Sequence, residues 1–189
     1  MSIMMIAILL AAAAAESIDG VKINDRIERY AIAGDTSRQL IRQMNQLGPL
    51  DHTTGKRMQG YLAWNVFWNF SYTMQSGNCV LTDVDVRLDV VITLPEWVPS
   101  ARSDAALEQG WPDYVARLTE HEEGHRAIAI RAAKSVRDVL RTTPSRPACK
   151  EMDSFANQAA QAALQGYAQA DNEYDRLTRH GETQGVRLP

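Results

Sequence analysis

The strongest constraint on the fold is a long alternation of apolar and polar residues between positions 80 and 94, VLTDVDVRLDVVITL. Every second residue from Val84 to Leu94 is apolar. Successive side chains of a β-strand point to opposite faces, so the pattern predicts a strand with one buried face and one wet face. Residues 61–72, YLAWNVFWNFSY, alternate in the same way. One-sided burial is typical of an antiparallel sheet, and the turn residues QSGN between the two segments predict a hairpin.

Shorter patterns predict the remaining elements. Residues 27–32 (IERYAI) predict a short strand, and apolar residues at helical spacing predict a helix over Ser37–Leu47 with Thr36 as its N-cap. Two long helices are predicted over about 112–140 and 150–179, the first starting at a proline that suits the first helical turn. The predicted fold class is therefore α+β, an antiparallel sheet with long strands packed against two long C-terminal helices.

The N-terminal segment differs from the rest of the 189-residue chain. Residues 3–15 are continuously apolar and end in a run of alanines, whereas a membrane span needs about 20 residues. This pattern is typical of a secretory signal peptide. We expect residues 1–15 to be a signal peptide and residues 16–189 to form one domain, periplasmic or secreted, with no stable membrane span after cleavage.

The charge balance excludes one class of partner. Lysine and arginine number 20 and aspartate and glutamate 23, which gives a formal net charge of −3. Binding to nucleic acid requires a concentration of positive charge that this composition does not offer. We therefore expect no nucleic-acid partner.

Cys79 and Cys149 are the only cysteines. In an oxidising compartment a single pair usually forms a disulfide, whereas in the cytosol both would remain free thiols. Because export is expected, we predict a Cys79–Cys149 disulfide, which would stabilise the fold by roughly 4 kcal/mol on the chain-entropy model.

The motif HEEGH at residues 121–125 carries the strongest functional signal. On the predicted helix, His121 and His125 fall on the apolar stripe that should face the core, and at four residues apart both imidazoles can reach one metal ion. Glu122 is turned about 100° from His121 around the helix, so it can act on a metal-bound water without binding the metal. Without a metal, the burial of two unpaired histidines would cost free energy. We predict a Zn²⁺ site with Glu122 as general base.

A zinc ion with an open coordination position needs a third protein ligand. The compact extension of the motif is absent, because Arg131 occupies the position of its last histidine. Asp138 lies about 20 Å from His125 along the helix and cannot share the ion. The ligand must come from the last helix or its end, where the candidates are Glu151, Asp153, Asp171, Glu173, Asp175, His180 and Glu182.

We select His180 as the third ligand because it lies where the last helix ends. Gly181 follows it in a natural C-cap position, which allows the imidazole to turn into a cleft. Glu173 and Asp171 are the main rivals, and a histidine that only completes the helix end is the alternative outside the zinc hypothesis.

Neighbours of His180 are candidates for supporting roles. Asp175 or Thr178 could orient a ligand from outside the coordination sphere, and Tyr174 could donate a hydrogen bond to a developing oxyanion. His52 lies in the polar loop over residues 49–59, and we expect it to be a solvent-exposed bystander.

Four segments together resemble a known family: AWNVFWNF, CVLTDVDVRLDVVITLP, WPDYVARLTEHEEGHRAIA and YDRLTRHG, in this order. In these segments the chain is similar to a family of predicted secreted zinc-dependent proteases from bacteria, long catalogued as a domain of unknown function. The resemblance covers nearly all of the chain after the predicted signal peptide. It implies an exported domain that holds zinc with the histidines matching His121, His125 and His180, and that uses Glu122 as the base.

These observations predict an exported zinc metallopeptidase with a zincin-like domain, acting on a peptide or protein substrate. Glu122 would accept a proton from the activated water and pass it to the leaving amine. Two alternatives stay open. One is a zinc hydrolase of another amide bond, such as one in a cell-wall peptide. The other is a non-catalytic envelope protein in which zinc joins the two long helices.

Overall fold

The computed structural model describes residues 16–52 and 54–189, so the predicted signal peptide lies outside the described residues. The elements in chain order are strands β1 (Glu16–Ile18) and β2 (Val21–Ile32), helix α1 (Ser37–Leu47), strands β3 (Tyr61–Gln75) and β4 (Asn78–Trp97), helices α2 (Ala105–Arg141) and α3 (Cys149–Thr178), and a 3-10 helix (Glu182–Gln184). A four-stranded sheet with the order β1-β2-β4-β3 and two long C-terminal helices confirm the α+β class. Within the described part of the chain, no helix combines the length and the apolar character that a membrane crossing requires.

Strands β3 and β4 form the predicted hairpin. They pair antiparallel along the whole of β3, with one shift in register near Phe70. Ser76 and Gly77 form the two-residue turn between them, with φ angles of 50° and 81°. Positive φ at both central positions matches the turn to the twist of the flanking strands, and glycine adopts such an angle without steric cost.

The sheet is mixed, and in addition to the predicted antiparallel hairpin it contains one parallel pair. Strand β2 pairs in parallel with β4, from Val21 opposite Val86 to Ile32 opposite Trp97. The short strand predicted at residues 27–32 is the second half of β2. Alternation of apolar and polar residues reports which face of a strand is buried, but not the direction of the partner strand. The parallel pair arises because α1 and β3 form the connection between β2 and β4.

Strand β4 extends beyond its predicted end and includes Pro95. Its pairing with β3 stops at Thr93, whereas its pairing with β2 continues to Trp97. Pro95 therefore has a strand neighbour on one side only, which is where a residue without an N–H group is tolerated.

Helix α2 begins at Ala105, earlier than the predicted start at Pro112. Asp104 is the N-cap, and its carboxylate accepts a hydrogen bond from the backbone N–H of Ala106. Pro112 lies inside the helix, where its missing N–H removes one intrahelical hydrogen bond. The Asp104 cap and the burial of Leu107 favour the longer helix.

Helices α1 and α3 agree with their predictions. Thr36 caps α1 through a capping box, in which its side chain accepts from the Gln39 N–H and the Gln39 side chain accepts from the Thr36 N–H. The bounds of α3, Cys149–Thr178, differ from the prediction by no more than helix ends ordinarily vary.

The helices cover one face of the sheet. Along the middle of β4 the buried side chains alternate as predicted, and they are Val86, Leu88, Val90, Ile92 and Leu94. The other face is polar, where Lys22 donates to Asp85 and Asn24 donates to Asp89 across the parallel pair. Helix α2 packs on the sheet, and α3 packs mainly on α2.

The predicted disulfide between Cys79 and Cys149 is confirmed, with the two Cα atoms 5.1 Å apart. Beside it, Cys79 and Arg146 exchange two backbone hydrogen bonds. The disulfide therefore ties the first turn of α3 to the base of β4, next to the hairpin turn.

Candidate metal centre

Helix α2 places both histidines of HEEGH on one buried face. His121 is 3% exposed and His125 is 7% exposed, and their ring centroids lie 4.9 Å apart. The prediction that both histidines face the core is confirmed. Their burial follows from the apolar stripe of α2, which also buries Leu118 and Ile128.

Helix α3 contributes a third group, the carboxylate of Asp175. Its Oδ1 atom lies 3.1 Å from Nε2 of His121 and 3.1 Å from Nε2 of His125. Among the described residues, His121, His125 and Asp175 form a group that could hold a metal ion. Each offers one ligand atom, and these atoms all lie within 4.8 Å of one another. Zinc binds nitrogen and oxygen ligands at about 2.0–2.1 Å in a tetrahedron, so such atoms lie about 3.3 Å apart. Both Oδ1–Nε2 distances are close to this value, so the group could hold one metal ion.

The other nitrogen of each imidazole has an oxygen acceptor of its own. Nδ1 of His125 lies 2.8 Å from Oδ1 of Asp171, and Nδ1 of His121 lies 2.9 Å from Oε1 of Gln184. An acceptor at Nδ1 favours the tautomer that carries its proton there and leaves a lone pair on Nε2. Metal-binding histidines almost always have such a partner. Both rings therefore have the partner at Nδ1 that a metal-binding histidine usually has.

Negative charge concentrates around the two imidazoles. Burial alone would lower the pKa of His125, but its hydrogen bonds to Asp171 and Asp175 outweigh burial and raise the pKa to about 10. Burial would likewise raise the pKa of Asp175, but its hydrogen bonds with His121 and His125 hold it well below its usual range. The two carboxylates therefore favour positive charge on the buried imidazole of His125.

Glu122 lies in the same cavity as the three groups and is 3% exposed. Burial raises the pKa of its carboxyl to about 7. The carboxylate faces Gly60 just before β3, since a Cβ atom on Gly60 would come within 2.7 Å of Oε1 of Glu122. Any side chain at position 60 would therefore clash with the Glu122 carboxylate, and glycine prevents this clash.

The cavity has a volume of about 460 Å³. One wall is the face of α2 that carries HEEGH, a second is the end of α3 and the turn after it, and the third is the chain from Lys56 into β3 at Leu62. The candidate metal ligands thus line a cleft rather than the inside of a closed core.

Comparison with known proteins places the chain in a family. A family model described as "Bacterial protein of unknown function (DUF922)" matches residues 27–181, which include HEEGH and the end of α3. The chain belongs to this family. No curated protein and no solved structure matches it. The match confirms the bacterial family of unknown function that the sequence resembles, and the family description names no activity.

The third ligand predicted for this DUF922 chain, His180, is not part of the metal-ligand cluster. Its Nδ1 lies 3.2 Å from Oδ2 of Asp175, the carboxylate oxygen that does not face the two histidines, and its side chain is 60% exposed. The physical reason is the turn after α3, where the φ angle of His180 is 52° and its ring lies on the outer side of Asp175. Asp175, predicted as a supporting residue, occupies the third position.

Tyr174 supports the histidines and does not line the cavity, contrary to its predicted role as an oxyanion donor. Its ring stacks on His121 with centroids 5.2 Å apart and meets His125 edge-on at 4.9 Å. Its hydroxyl accepts a hydrogen bond from Nε2 of Gln184. The ring reaches this place because Gly124 has no side chain, since a Cβ there would lie 2.0 Å from the Tyr174 hydroxyl oxygen.

The other predicted residues lie apart from the cluster. The Thr178 hydroxyl donates to the backbone carbonyl of Tyr174 within its own helix, so it orients no ligand directly. Glu173, a rival third ligand, forms an ion pair with Arg176 on the exposed side of α3. His52 is exposed, as predicted.

Sequence reasoning missed Gln184 and the pairing of Asp171 with His125. A signal for the second was present, because Asp171 and Asp175 are four residues apart, the same spacing as His121 and His125. Two facing helices with such pairs can bring all four side chains to one point. Gln184 had no comparable signal, since it lies in a 3-10 helix that begins after a left-handed turn.

Proposed function

We propose that the protein is an exported zinc-dependent hydrolase that cleaves peptide bonds. The observation that carries the proposal is the convergence of His121, His125 and Asp175 around one point, in a cleft that also holds the buried carboxylate of Glu122. Two imidazoles and one carboxylate match the ligand set of catalytic zinc sites, which keep a fourth position for water or substrate.

Each residue then has one task. His121, His125 and Asp175 would hold the zinc ion, which when bound acts as a Lewis acid and lowers the pKa of a water molecule. Glu122 accepts a proton from the attacking water and passes it to the leaving amine. Asp171 and Gln184 orient the two imidazoles through Nδ1.

The position of β3 supports an extended peptide as substrate. Strand β3 is an outer strand of the sheet, and Gly60, Tyr61 and Leu62 at its start line the cleft beside Glu122. An outer strand offers backbone N–H and C=O groups to which an extended chain can pair. A peptide paired with this edge would place its backbone next to the base.

Two features argue against a zinc ion that only joins α2 and α3. Structural zinc sites usually have four protein ligands and are closed to solvent. Here three groups lie on the wall of a cleft. In addition, burial of the Glu122 carboxylate disfavours its charged form and therefore costs free energy. A structural zinc site does not require such a residue, whereas a catalytic site does.

Export is part of the proposal. The apolar segment at residues 3–15 is typical of a signal peptide, and a disulfide such as Cys79–Cys149 is usual in proteins that leave the cytoplasm. We propose a periplasmic or secreted protein whose substrate is a peptide or protein of that compartment.

The experiment compares Glu122→Gln with Glu123→Gln in the purified chain loaded with zinc. Glu123 is the adjacent residue of the motif, exposed on the opposite side of the cleft wall and paired only weakly with Arg126 at 3.9 Å. We expect both variants to bind one zinc, and only Glu122→Gln to lose cleavage of a denatured-protein substrate, by a factor of at least about 100. Equal cleavage by the two variants would refute Glu122 as the base. Zinc binding without cleavage by the unsubstituted chain, across denatured-protein and cell-wall peptide substrates, would favour the structural alternative.

A further inference from the structure

We propose that His180 is a positioning residue that holds Asp175 in place by its outer oxygen, so that the inner oxygen stays on the metal. The two oxygens of Asp175 face different partners. Oδ1 lies between the two Nε2 atoms of HEEGH at 3.1 Å from each, and Oδ2 lies 3.2 Å from Nδ1 of His180. The inference rests on the proposed role of Asp175 as a metal ligand.

The backbone around His180 is built to bring it back onto Asp175. Arg179, His180 and Gly181 all have positive φ, at 52°, 52° and 82°. Two consecutive left-handed residues that carry side chains are uncommon, because their Cβ atoms crowd the backbone. The backbone N–H groups of Arg179 and His180 both donate to the carbonyl oxygen of Asp175. The turn therefore contacts Asp175 through its main chain and its side chain.

Packing against the metal centre holds this turn in its conformation. A Cβ atom on Gly181 would lie 2.6 Å from Cγ2 of Val186 and 3.1 Å from Cγ of His121. The turn is thus in direct contact with a candidate ligand on its other side. Unfavourable backbone angles persist where the surrounding structure determines them, and they cluster at functional sites.

A second polar contact on a ligating carboxylate has a clear physical effect. A carboxylate that is free to rotate can bind zinc through either oxygen or both, whereas a polar contact with the outer oxygen, here at 3.2 Å from Nδ1 of His180, restricts it to one. An exposed ion pair of this type would stabilise the fold very little by itself. The effect of His180 should therefore appear in metal binding rather than in stability without metal.

The experiment uses the protein without the predicted signal peptide, residues 16–189. It compares His180→Ala with His180→Asn, and His52→Ala is the control. Asparagine can place its amide N–H₂ close to the position of Nδ1, and it tolerates left-handed φ, so the backbone is not the variable. His52 is an exposed histidine outside the residues that line the cleft. Zinc affinity is measured by competition with a chromophoric chelator, and coordination by the visible spectrum of the cobalt-substituted protein.

We expect His180→Ala to weaken zinc binding about 10- to 100-fold, as loss of an outer partner usually does. We expect His180→Asn to restore the affinity to within about threefold and to keep the cobalt spectrum of the unsubstituted protein. All variants should melt at the same temperature in excess chelator, and His52→Ala should behave like the unsubstituted chain.

Two results would overturn the inference alone, and a third would overturn the proposed function together with the inference. If His180→Asn loses zinc as fully as His180→Ala and changes the cobalt spectrum, His180 is itself a ligand. If His180→Ala binds zinc normally, His180 has no role at the site. If the unsubstituted chain binds no zinc, the proposed function fails as well, and the inference falls with it.

Discussion

Gly124 in the middle of HEEGH should be one of the least replaceable glycines in the chain, although it lies inside a helix. Alanine is the better helix former, so Gly124→Ala would ordinarily stabilise α2 by about 1 kcal/mol. Here the new Cβ would lie 2.0 Å from the hydroxyl oxygen of Tyr174, 2.3 Å from Cζ and 2.8 Å from Cε1. These distances are far below van der Waals contact, so the ring would have to move.

The magnitude follows from what holds the ring. Tyr174 is stacked on His121 and edge-on to His125, so it cannot rotate away without losing both contacts. Overpacking costs about 1–3 kcal/mol, and each lost aromatic contact about 0.5–1.5 kcal/mol. These terms outweigh the helix-propensity gain. We expect Gly124→Ala to lower the free energy of unfolding by about 1–5 kcal/mol. For a domain of this size, that change lowers Tm by roughly 2–20 °C.

Gly166 provides the matched control. It lies in the interior of α3, and an added Cβ would meet nothing within 4 Å. Gly166→Ala should raise the free energy of unfolding by about 0.5–1 kcal/mol, since glycine weakens a helix interior by that amount. Urea denaturation in excess chelator measures both variants without the metal. Zinc competition should then show weaker binding only for Gly124→Ala, because Tyr174 supports both imidazoles.

A Tyr174→Ala background tests the cause. Without the ring, Gly124→Ala should no longer destabilise and should show the ordinary helix-propensity gain. The reasoning is refuted if Gly124→Ala is as stable as Gly166→Ala in the unsubstituted background. It is also refuted if the penalty persists unchanged after Tyr174 is removed.

The metal centre and the disulfide give three further expectations. Asp171→Ala should weaken zinc binding about 10- to 100-fold in a chelator competition, because His125 loses its Nδ1 acceptor. The control Glu173→Ala should leave zinc binding unchanged. Equal effects of the two substitutions would contradict the role of Asp171 in orienting His125. Because the pKa of His125 is raised to about 10, zinc must displace a proton from this imidazole at neutral pH. Apparent zinc affinity should therefore rise about tenfold per pH unit between about pH 6 and 9. An affinity that does not change with pH would contradict this expectation. Replacing Cys79 and Cys149 with serine should lower the free energy of unfolding by roughly 2–5 kcal/mol in urea, and an unchanged midpoint would argue against a stabilising disulfide.

Local sequence patterns were sufficient for most of the elements. The hairpin, the long helices and the inward face of HEEGH follow from alternation, helical spacing and turn residues, all of which act over a few positions. The start of α2 was missed because Pro112 is a strong local signal, whereas the cap at Asp104 and the burial of Leu107 together outweigh it. The parallel pairing of β2 with β4 depends on the path of the intervening chain, which no local pattern records.

In the candidate site, too, the features that depend on local sequence were predictable and those that depend on distant packing were not. The spacing within HEEGH is local, so it was sufficient to predict that His121 and His125 face inward. Together with Glu122, they line one cleft. The third group depends on how α3 is rotated against α2, and that rotation is set by packing between distant residues. His180 was favoured for its place at a helix end, but the left-handed turn directs its ring to the outer oxygen of Asp175.

Helix α3 packs along α2, and the disulfide fixes its first residue. Its first residue, Cys149, is bonded to Cys79, and Asp175 near its other end faces the histidines, about 39 Å away along the axis at 1.5 Å per residue. Between Ala160 and Thr178 no described residue of α3 is buried. A tilt of one degree about Cys149 would displace Asp175 by about 0.7 Å, which exceeds the roughly 0.2 Å that a zinc–ligand distance tolerates. The disulfide fixes the first turn of α3, and over this length a small change of tilt there would become a large displacement of Asp175 at the candidate metal site.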